Sequence, residues 1–221
     1  MNFRFTESTG GNSTGAFLSR NLALHVGDQP EIVSSNRRSL SDEINLPVQF
    51  MEQVHGDHVE VVNDLIGHSP TADALVTENP KLALAVMVAD CIPLLLANQK
   101  SIAAVHVGRK GLLNEVSRKA ISKMRELDSS PISAVIGPSI CGKCYEVSPE
   151  IFAEVTKFYP RAAAKTSQGT PSLDLAAALT FELENIDIDV HVIARCTVED
   201  SSLYSYRRDG VTGRQAGVIW I

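Results

Sequence analysis

Residues Leu82 to Gly111 read LALAVMVADCIPLLLANQKSIAAVHVGRKG, and this stretch decides the fold. It contains three apolar runs, Leu82–Val88, Ile92–Ala97 and Ile102–Val107, and each has the length of a buried strand. Cys91 and His106, which can bind metals or do nucleophilic chemistry, stand where such strands should end. The stretch therefore predicts a buried sheet with reactive side chains at one edge.

A hairpin is predicted for the second and third runs, with Asn98 and Gln99 as a two-residue loop. In that register, the residue numbers of two residues that lie opposite each other sum to 197. Cys91 and His106 meet this condition. Cross-strand partners share a face of the sheet, with Cβ atoms roughly 4.5–5.5 Å apart. One metal ion could then bridge the Cys91 thiolate and the His106 imidazole. A loop of odd length would put the two residues on opposite faces, so the pairing depends on the turn.

Length and composition indicate the fold class. The chain has 221 residues, of which 44% are hydrophobic, as in an ordinary globular protein. We predict an α/β fold, a single domain over residues 1–221 with a mixed, largely buried β-sheet core flanked by helices. Residues 1–16 are expected to be partly mobile, since Ser8–Gly15 is polar and glycine-rich. The clearest amphipathic helix is predicted within Leu113–Leu127, where apolar residues recur at helical spacing.

Charge and cysteine content limit the partners and the compartment. A formal charge of −6 and a pI near 5.5 argue against a nucleic-acid partner. No apolar run reaches the roughly 18 residues that a membrane span needs, and the N-terminus does not resemble a secretory signal. Four cysteines without a signal are typical of reduced thiols, which predicts a cytoplasmic protein. The sequence does not indicate the oligomeric state.

A third candidate ligand, His55, lies in the turn-like segment His55-Gly56-Asp57. Zinc held by two histidines and one cysteine keeps a fourth position for water, as in catalytic sites. Two other interpretations stay open. His106 could deprotonate Cys91 for nucleophilic hydrolysis, or Cys91 could be a small buried hydrophobe beside hydrogen-bonded histidines. Asp90 could orient a histidine or simply end a strand.

Two further motifs could carry chemistry. Cys141 and Cys144 form a lone C-x-x-C without a second pair, so two reduced loop thiols are favoured over a redox or zinc pair. Arg207, Arg208 and Arg214 lie in a glycine-containing segment, where arginines suit phosphate or carboxylate. A solvated surface loop explains these arginines equally well. The remaining four histidines are expected to be structural or exposed.

Six ordered motifs together resemble the YfiH-type laccase-domain family, also called multicopper polyphenol oxidases or purine nucleoside phosphorylases. They are QVHG at 53–56, TADALVT at 71–77, ADCIPLLL at 89–96, AAVHVG at 103–108, IGPSI at 136–140 with YEV at 145–147, and YSYRRDGVTGRQAG at 204–217. The resemblance extends from about Arg20 to Ile221. One departure is HVGRKG at 106–111, where the family usually has HAGWRG. Arg109 therefore replaces a tryptophan, which is expected to change the pocket wall or the ligand preference.

The resemblance implies an α/β fold with a catalytic zinc site whose ligands are His55, Cys91 and His106, copper being a possible substitute. It also implies phosphorolysis of adenosine, inosine and methylthioadenosine, and deamination of adenosine. The expected partners are therefore a purine nucleoside and phosphate, with the three arginines as candidates for holding phosphate.

Three alternatives remain. The family has been described as editing wrongly built peptidoglycan precursors, a hydrolase reaction that would use the same pocket. Copper-dependent polyphenol oxidation fits less well, because three protein ligands do not supply several copper centres and the chain has no H-x-H motif. A zinc-stabilised binding protein without activity is the non-enzymatic alternative, and chelation would unfold it rather than only inactivate it.

Overall fold

The computed structural model describes residues 2–221, which form twelve strands and six α-helices. The strands are β1 (Asn2–Phe5), β2 (Val48–Gln49), β3 (Val59–Val61), β4 (Ala74–Thr77), β5 (Ala83–Val88), β6 (Ile92–Ala97), β7 (Ile102–Val107), β8 (Ser133–Ile136), β9 (Ala163–Lys165), β10 (Pro171–Leu173), β11 (Asp189–Val192) and β12 (Gln215–Trp220). The helices are α1 (Pro30–Ile44), α2 (Arg109–Leu113), α3 (Val116–Leu127), α4 (Pro149–Phe158), α5 (Leu175–Glu184) and α6 (Tyr206–Asp209). No helix within residues 2–221 is long and apolar enough to cross a bilayer.

The strands form two large mixed sheets and one small hairpin. The first sheet has the order β1-β12-β5-β2, and the second has the order β11-β8-β6-β7-β4-β3. Each contains both parallel and antiparallel pairs; β2 is parallel to β5, for example, while β12 is antiparallel to it. Strands β9 and β10 pair separately. The predicted α/β class with a mixed, buried sheet core and flanking helices is confirmed, and the core consists of two sheets.

The two sheets stack face to face, with helices on their outer faces. Even-numbered residues of β5, from Leu84 to Val88, belong to the core between the sheets, whereas its odd-numbered residues pack under α1. In β6, Leu95 faces the other sheet, while Leu94 and Leu96 face α3 and α5. Both faces of these strands are therefore buried, which explains why their sequences are apolar throughout.

The chain passes from the first sheet to the second between β5 and β6, through residues 89–91. Asp90 there has a φ of 98°, in the left-handed region that non-glycine residues rarely adopt. The start of β6, the end of β7 and the start of β4 meet at the same edge, because β6 and β4 are both antiparallel to β7. Cys91 and His106 are thereby brought to one edge of the stacked sheets.

The predicted β6–β7 hairpin forms, but its register differs from the prediction. Its loop has four residues, 98–101, and Pro93 rather than Cys91 lies opposite His106, so opposite positions sum to 199. The Asn98 side chain causes the difference, since its Oδ1 accepts hydrogen bonds from the backbone N–H groups of Lys100 and Ser101 and holds both in the turn. Four is an even number, so Cys91 and His106 still share a face, displaced by two residues.

The predicted amphipathic helix forms as α3, which begins at Val116 rather than at Leu113. Glu115, with a φ of 59°, separates α2 from α3, and the apolar face of α3 packs on the second sheet. At the N-terminus, β1 pairs with β12, and the Ser8 N–H donates to the Ser202 carbonyl at 2.8 Å. The expected single domain and its partly mobile segment both begin at Met1, which lies outside the described residues. Both stay predictions.

Candidate active site

The structure brings together the three residues that the sequence singles out as metal ligands. The ligand atoms of His55, Cys91 and His106 all lie within 4.8 Å of one another. The Cys91 Sγ is 3.9 Å from the His55 Nε2, and the two imidazole rings meet edge to face with centroids 4.7 Å apart. His106 is buried, whereas His55 is exposed. The cluster therefore faces solvent on one side only.

Asp73, to which the sequence reasoning gave no role, holds both histidines through hydrogen bonds. Its buried carboxylate lies 2.7 Å from the Nδ1 of His106. It also accepts hydrogen bonds from the backbone N–H groups of Val54, His55 and Gly56, at 3.2, 3.0 and 2.6 Å. Burial would raise the pKa of Asp73, but the hydrogen bonds from His106 and Gly56 outweigh it, so the pKa is lowered. Asp73 is therefore a carboxylate that holds the ring of His106 and the backbone of His55.

Local backbone geometry lets His55 approach Cys91. His55 has a φ of 59°, and the hydrogen bonds to Asp73 hold it in this left-handed conformation. Gly108 provides the space, because a Cβ there would lie 2.9 Å from the Cys91 Sγ and 3.2 Å from the His55 Cδ2. The glycine after β7 is thus required by the close approach of the ligands.

The electrostatics of the metal-free cluster favour a thiolate. Burial alone would raise the pKa of Cys91, but the charge of His106 and the hydrogen bonds from both histidines lower it to about 6. Burial would lower the pKa of His106, but the Cys91 thiolate and Asp73 raise it to about 9. Each group thus favours the charged form of the other, which favours a thiolate–imidazolium pair in the absence of metal.

The cluster fits a zinc ion. Histidines that bind metals usually donate from their other ring nitrogen to a carboxylate, and the Nδ1 of His106 meets Asp73 in this way. Its Nε2 is then left for the ion, beside a thiolate and a second imidazole. Two nitrogens and one sulfur make a donor set that zinc accepts, with one position remaining for a substrate or water. Metal binding by these residues stays a prediction.

A cavity of about 550 Å³ opens onto the cluster. This volume suits a small-molecule ligand. Besides the three candidate ligands, its walls include His25, Gln53, Met87, Asp90, Arg109, Ile140, Tyr145, Leu175, Tyr206, Arg207 and Arg214. Aromatic and cationic groups thus surround the candidate metal centre.

The three predicted arginines have different surroundings. Arg207 and Arg214 both line the cavity, and neither forms a salt bridge with a carboxylate within residues 2–221. Arg207 lies 5.2 Å from the Tyr145 ring and donates to the Glu146 carbonyl. Arg208 instead binds Asp209 and several backbone carbonyls of the preceding loop, including that of Leu203. Two of the three guanidinium groups therefore face the cavity, and the third holds the loop.

Within residues 2–221, Asp90 forms no hydrogen bond with a histidine. One of its carboxylate oxygens accepts hydrogen bonds from Thr197 and Ser205, at 2.6 and 2.7 Å, and the other accepts from the Arg207 N–H at 2.7 Å. Asp90 therefore ties the crossing between the sheets to the loop that carries the cavity arginines.

Several wall residues were missed by sequence reasoning. Tyr145 and Tyr206 carry no signal that separates them from ordinary loop tyrosines. His25, expected to be structural or exposed, is exposed and also lines the cavity. Arg109, noted only as a departure from a family motif, lines the cavity and forms a 3.1 Å salt bridge with Glu154. Asp73 could have been found as an acidic residue within an otherwise apolar segment, since a ligating histidine needs a carboxylate partner.

Comparison with known proteins finds one family. Residues 2–221 match the family described as multi-copper polyphenol oxidoreductase laccase. A protein of Corynebacterium glutamicum named purine nucleoside phosphorylase is 42% identical, over 98% of this chain and 93% of its own length. A crystal structure of a Neisseria meningitidis protein superposes with a TM-score of 0.90 at 35% identity, covering 99% of this chain and 93% of that one. The Bacillus licheniformis hypothetical protein YfiH gives a TM-score of 0.89 at 27% identity, over 98% and 91% of the two chains.

Proposed function

This chain belongs to the multi-copper polyphenol oxidoreductase laccase family, which includes the YfiH-type proteins, and we propose that it is a zinc-dependent purine nucleoside phosphorylase. The proposed substrates are adenosine, inosine and methylthioadenosine. The name of the Corynebacterium relative supports this reaction class. The observation that carries the proposal is one cavity that joins the His55, Cys91 and His106 cluster to two guanidinium groups without carboxylate partners among residues 2–221.

In phosphorolysis, a phosphate oxygen bonds to C1′ of the ribose while the bond from C1′ to the purine breaks. The bonding electrons leave with the base, which takes up a proton, so the products are the free purine and ribose 1-phosphate. Arg207 and Arg214 are placed to hold the phosphate, because arginine forks bind its oxygens by charge-assisted hydrogen bonds. The rings of Tyr145 and Tyr206 offer apolar faces for the purine.

The cluster of His55, Cys91 and His106, which lines the cavity, would hold the metal. Zinc bound by His55, Cys91 and His106 would supply Lewis-acid polarisation of a substrate oxygen. Asp73 keeps the His106 ring fixed and its Nδ1 occupied. The oxidase reaction in the family description needs several copper ions, whereas this cluster offers three ligand atoms, which suit one ion.

The decisive experiment incubates the pure, zinc-loaded protein with adenosine, with and without phosphate, followed by chromatography. Adenine and ribose 1-phosphate are expected only when phosphate is present. Cys91→Ala is the control, since it removes one ligand and should lose turnover together with the zinc bound by His55 and His106. Formation of inosine without phosphate would instead assign deamination to the cavity. No turnover by fully zinc-loaded protein would refute the proposal.

A further inference from the structure

A second cluster of side chains of a type that can bind metals is formed by residues that are far apart in the sequence. The thiols of Cys141, Cys144 and Cys196 all lie within 4.8 Å of one another, and all are free and partly buried. The sequence showed only the first two, as a lone C-x-x-C with no second pair. The fold supplies the third, because Ser139 and Cys196 form a parallel bridge that places the two loops side by side.

The backbone of the C-x-x-C segment forms a tight turn. The Cys141 carbonyl accepts hydrogen bonds from the N–H groups of both Cys144 and Tyr145, each at 3.0 Å. Gly142 is buried in this turn, and a Cβ there would lie 2.9 Å from the Asp174 Cβ. The Cys141 N–H in turn donates to the Cys196 Sγ at 3.4 Å. The two loops thus hold three sulfur atoms in place from fixed backbone positions.

We propose that Cys141, Cys144 and Cys196 bind a structural zinc ion. Tetrahedral zinc with Zn–S bonds of about 2.3 Å needs sulfur atoms about 3.8 Å apart, within the spread of this cluster. The Glu199 Oε1 lies 3.8 Å from the Cys144 Sγ, but it does not belong to the group of ligand atoms that lie within 4.8 Å of one another. Sites with three or four cysteine ligands are typical of structural zinc, so the three thiols favour a structural over a catalytic ion.

Coordination changes the protonation of the ligands. Each thiol binds as a thiolate, so its proton passes to solvent, and one zinc ion releases up to three protons from the three cysteines. No electron is transferred, and the sulfur atoms stay at the thiol oxidation level. This distinguishes the site from a redox pair, in which two of the thiols would be oxidised to a disulfide.

The position of the cluster gives it a consequence for the cavity. Ile140 and Tyr145, on either side of the C-x-x-C turn, both line the cavity. The Ile140 N–H donates to the Asp90 carbonyl at 2.9 Å, and Thr197, next to Cys196, donates to the Asp90 carboxylate. Zinc at the three cysteines would therefore hold the cavity wall and the crossing between the sheets together.

Zinc content of the full-length chain tests the site independently of the proposed activity. The Cys91→Ala substitution disables the cluster of His55, Cys91 and His106, called the cavity cluster here. In this background, the protein purified under reducing conditions is expected to bind one zinc ion per chain after dialysis against zinc. Adding Cys196→Ser should reduce this to none. Adding Lys143→Ala instead, an exposed residue in the same turn, should leave it unchanged.

Two further measurements keep the proposal testable if Cys196→Ser fails to fold. Cys144→Ser should also abolish zinc binding, and in the Cys91→Ala protein zinc should protect all three remaining thiols from a thiol reagent. Cobalt in place of zinc should give sulfur-to-cobalt charge-transfer absorption. Absence of zinc from the reduced Cys91→Ala protein, retention of zinc after Cys196→Ser, or a disulfide among these cysteines in the isolated protein would overturn the proposal.

Discussion

The carboxylate of Asp73 contacts both histidines of the candidate site, directly at His106 and through the backbone at His55. Asp73→Asn removes its charge, and we expect zinc affinity at the cavity cluster to fall about 10–100-fold, as for other carboxylate partners of ligating histidines. Competition with a chromophoric chelator would measure this. Glu60→Gln, which alters an exposed carboxylate bound to His58, is the matched control. Unchanged affinity in folded Asp73→Asn would show that the carboxylate does not orient the ligands.

The charge state of Cys91 leads to a prediction about reactivity. Its pKa in the metal-free protein is lowered to about 6, so the reactive thiolate is present above this pH and is lost as the pH falls through it. Alkylation of Cys91 by iodoacetamide, followed by peptide mass spectrometry, should therefore reach half of its maximal rate near pH 6. The midpoint should move upward in His106→Asn, because the neighbouring positive charge is removed. A midpoint near that of an ordinary thiol in the wild type would exclude the thiolate–imidazolium pair.

The two cavity arginines should act on phosphate binding. Charge-assisted hydrogen bonds contribute about 1.5–3 kcal/mol, so Arg207→Ala or Arg214→Ala should raise the KM for phosphate about 10-fold or more. Zinc content should not change, because neither residue belongs to the ligand cluster. Arg125→Ala, at an exposed position of α3, is the control. If both variants keep the wild-type KM for phosphate, the anion binds elsewhere.

At the scale of the strands, the stacked sheets depend on residues such as Leu95, which is fully buried between them. Leu95→Ala should lower the free energy of unfolding by roughly 2–5 kcal/mol, through lost burial and the cavity left behind. Denaturant titration would measure the change. Leu65→Ala is the control, since Leu65 is 54% exposed and should change stability by less than about 0.5 kcal/mol. A small effect at Leu95 would mean that the two sheets move together and fill the space left by the smaller alanine side chain.

The three central strands were predictable because their apolar runs are long and end at polar or turn residues. The assignment of each strand to a sheet was not, since β5 pairs with β12 from the far end of the chain while β6 pairs with β8. Those pairings depend on long-range packing that no local pattern records. The register error has a local cause, the Asn98 side chain, whose hydrogen bonds extend the loop by two residues.

For the candidate site, too, part could be predicted from the sequence and part could not. His55, Cys91 and His106 could be proposed from their residue types, and the even-length loop kept two of them on one face. The contact of Asp73 with His106 and the contact of Cys196 with the other two thiols could not be predicted, because each joins residues far apart in the sequence. The sequence therefore indicates which side chains can bind metals, and the fold determines which of them meet.

For the whole molecule, the cavity cluster joins the loop before β3, the residue before β6 and strand β7, so a bound ion would link parts of the chain that separate on unfolding. Zinc at 100 times its Kd should stabilise the folded state by about 2.7 kcal/mol, provided that the unfolded chain does not bind it. For a chain of this size, that corresponds to a rise in Tm of roughly 5–11 °C. The rise caused by zinc should be larger in wild type than in Cys91→Ala by about this amount, measured by calorimetry at equal zinc. The remaining rise in Cys91→Ala reports the three-cysteine cluster, and equal rises in the two proteins would show that the cavity cluster does not bind zinc in the folded state.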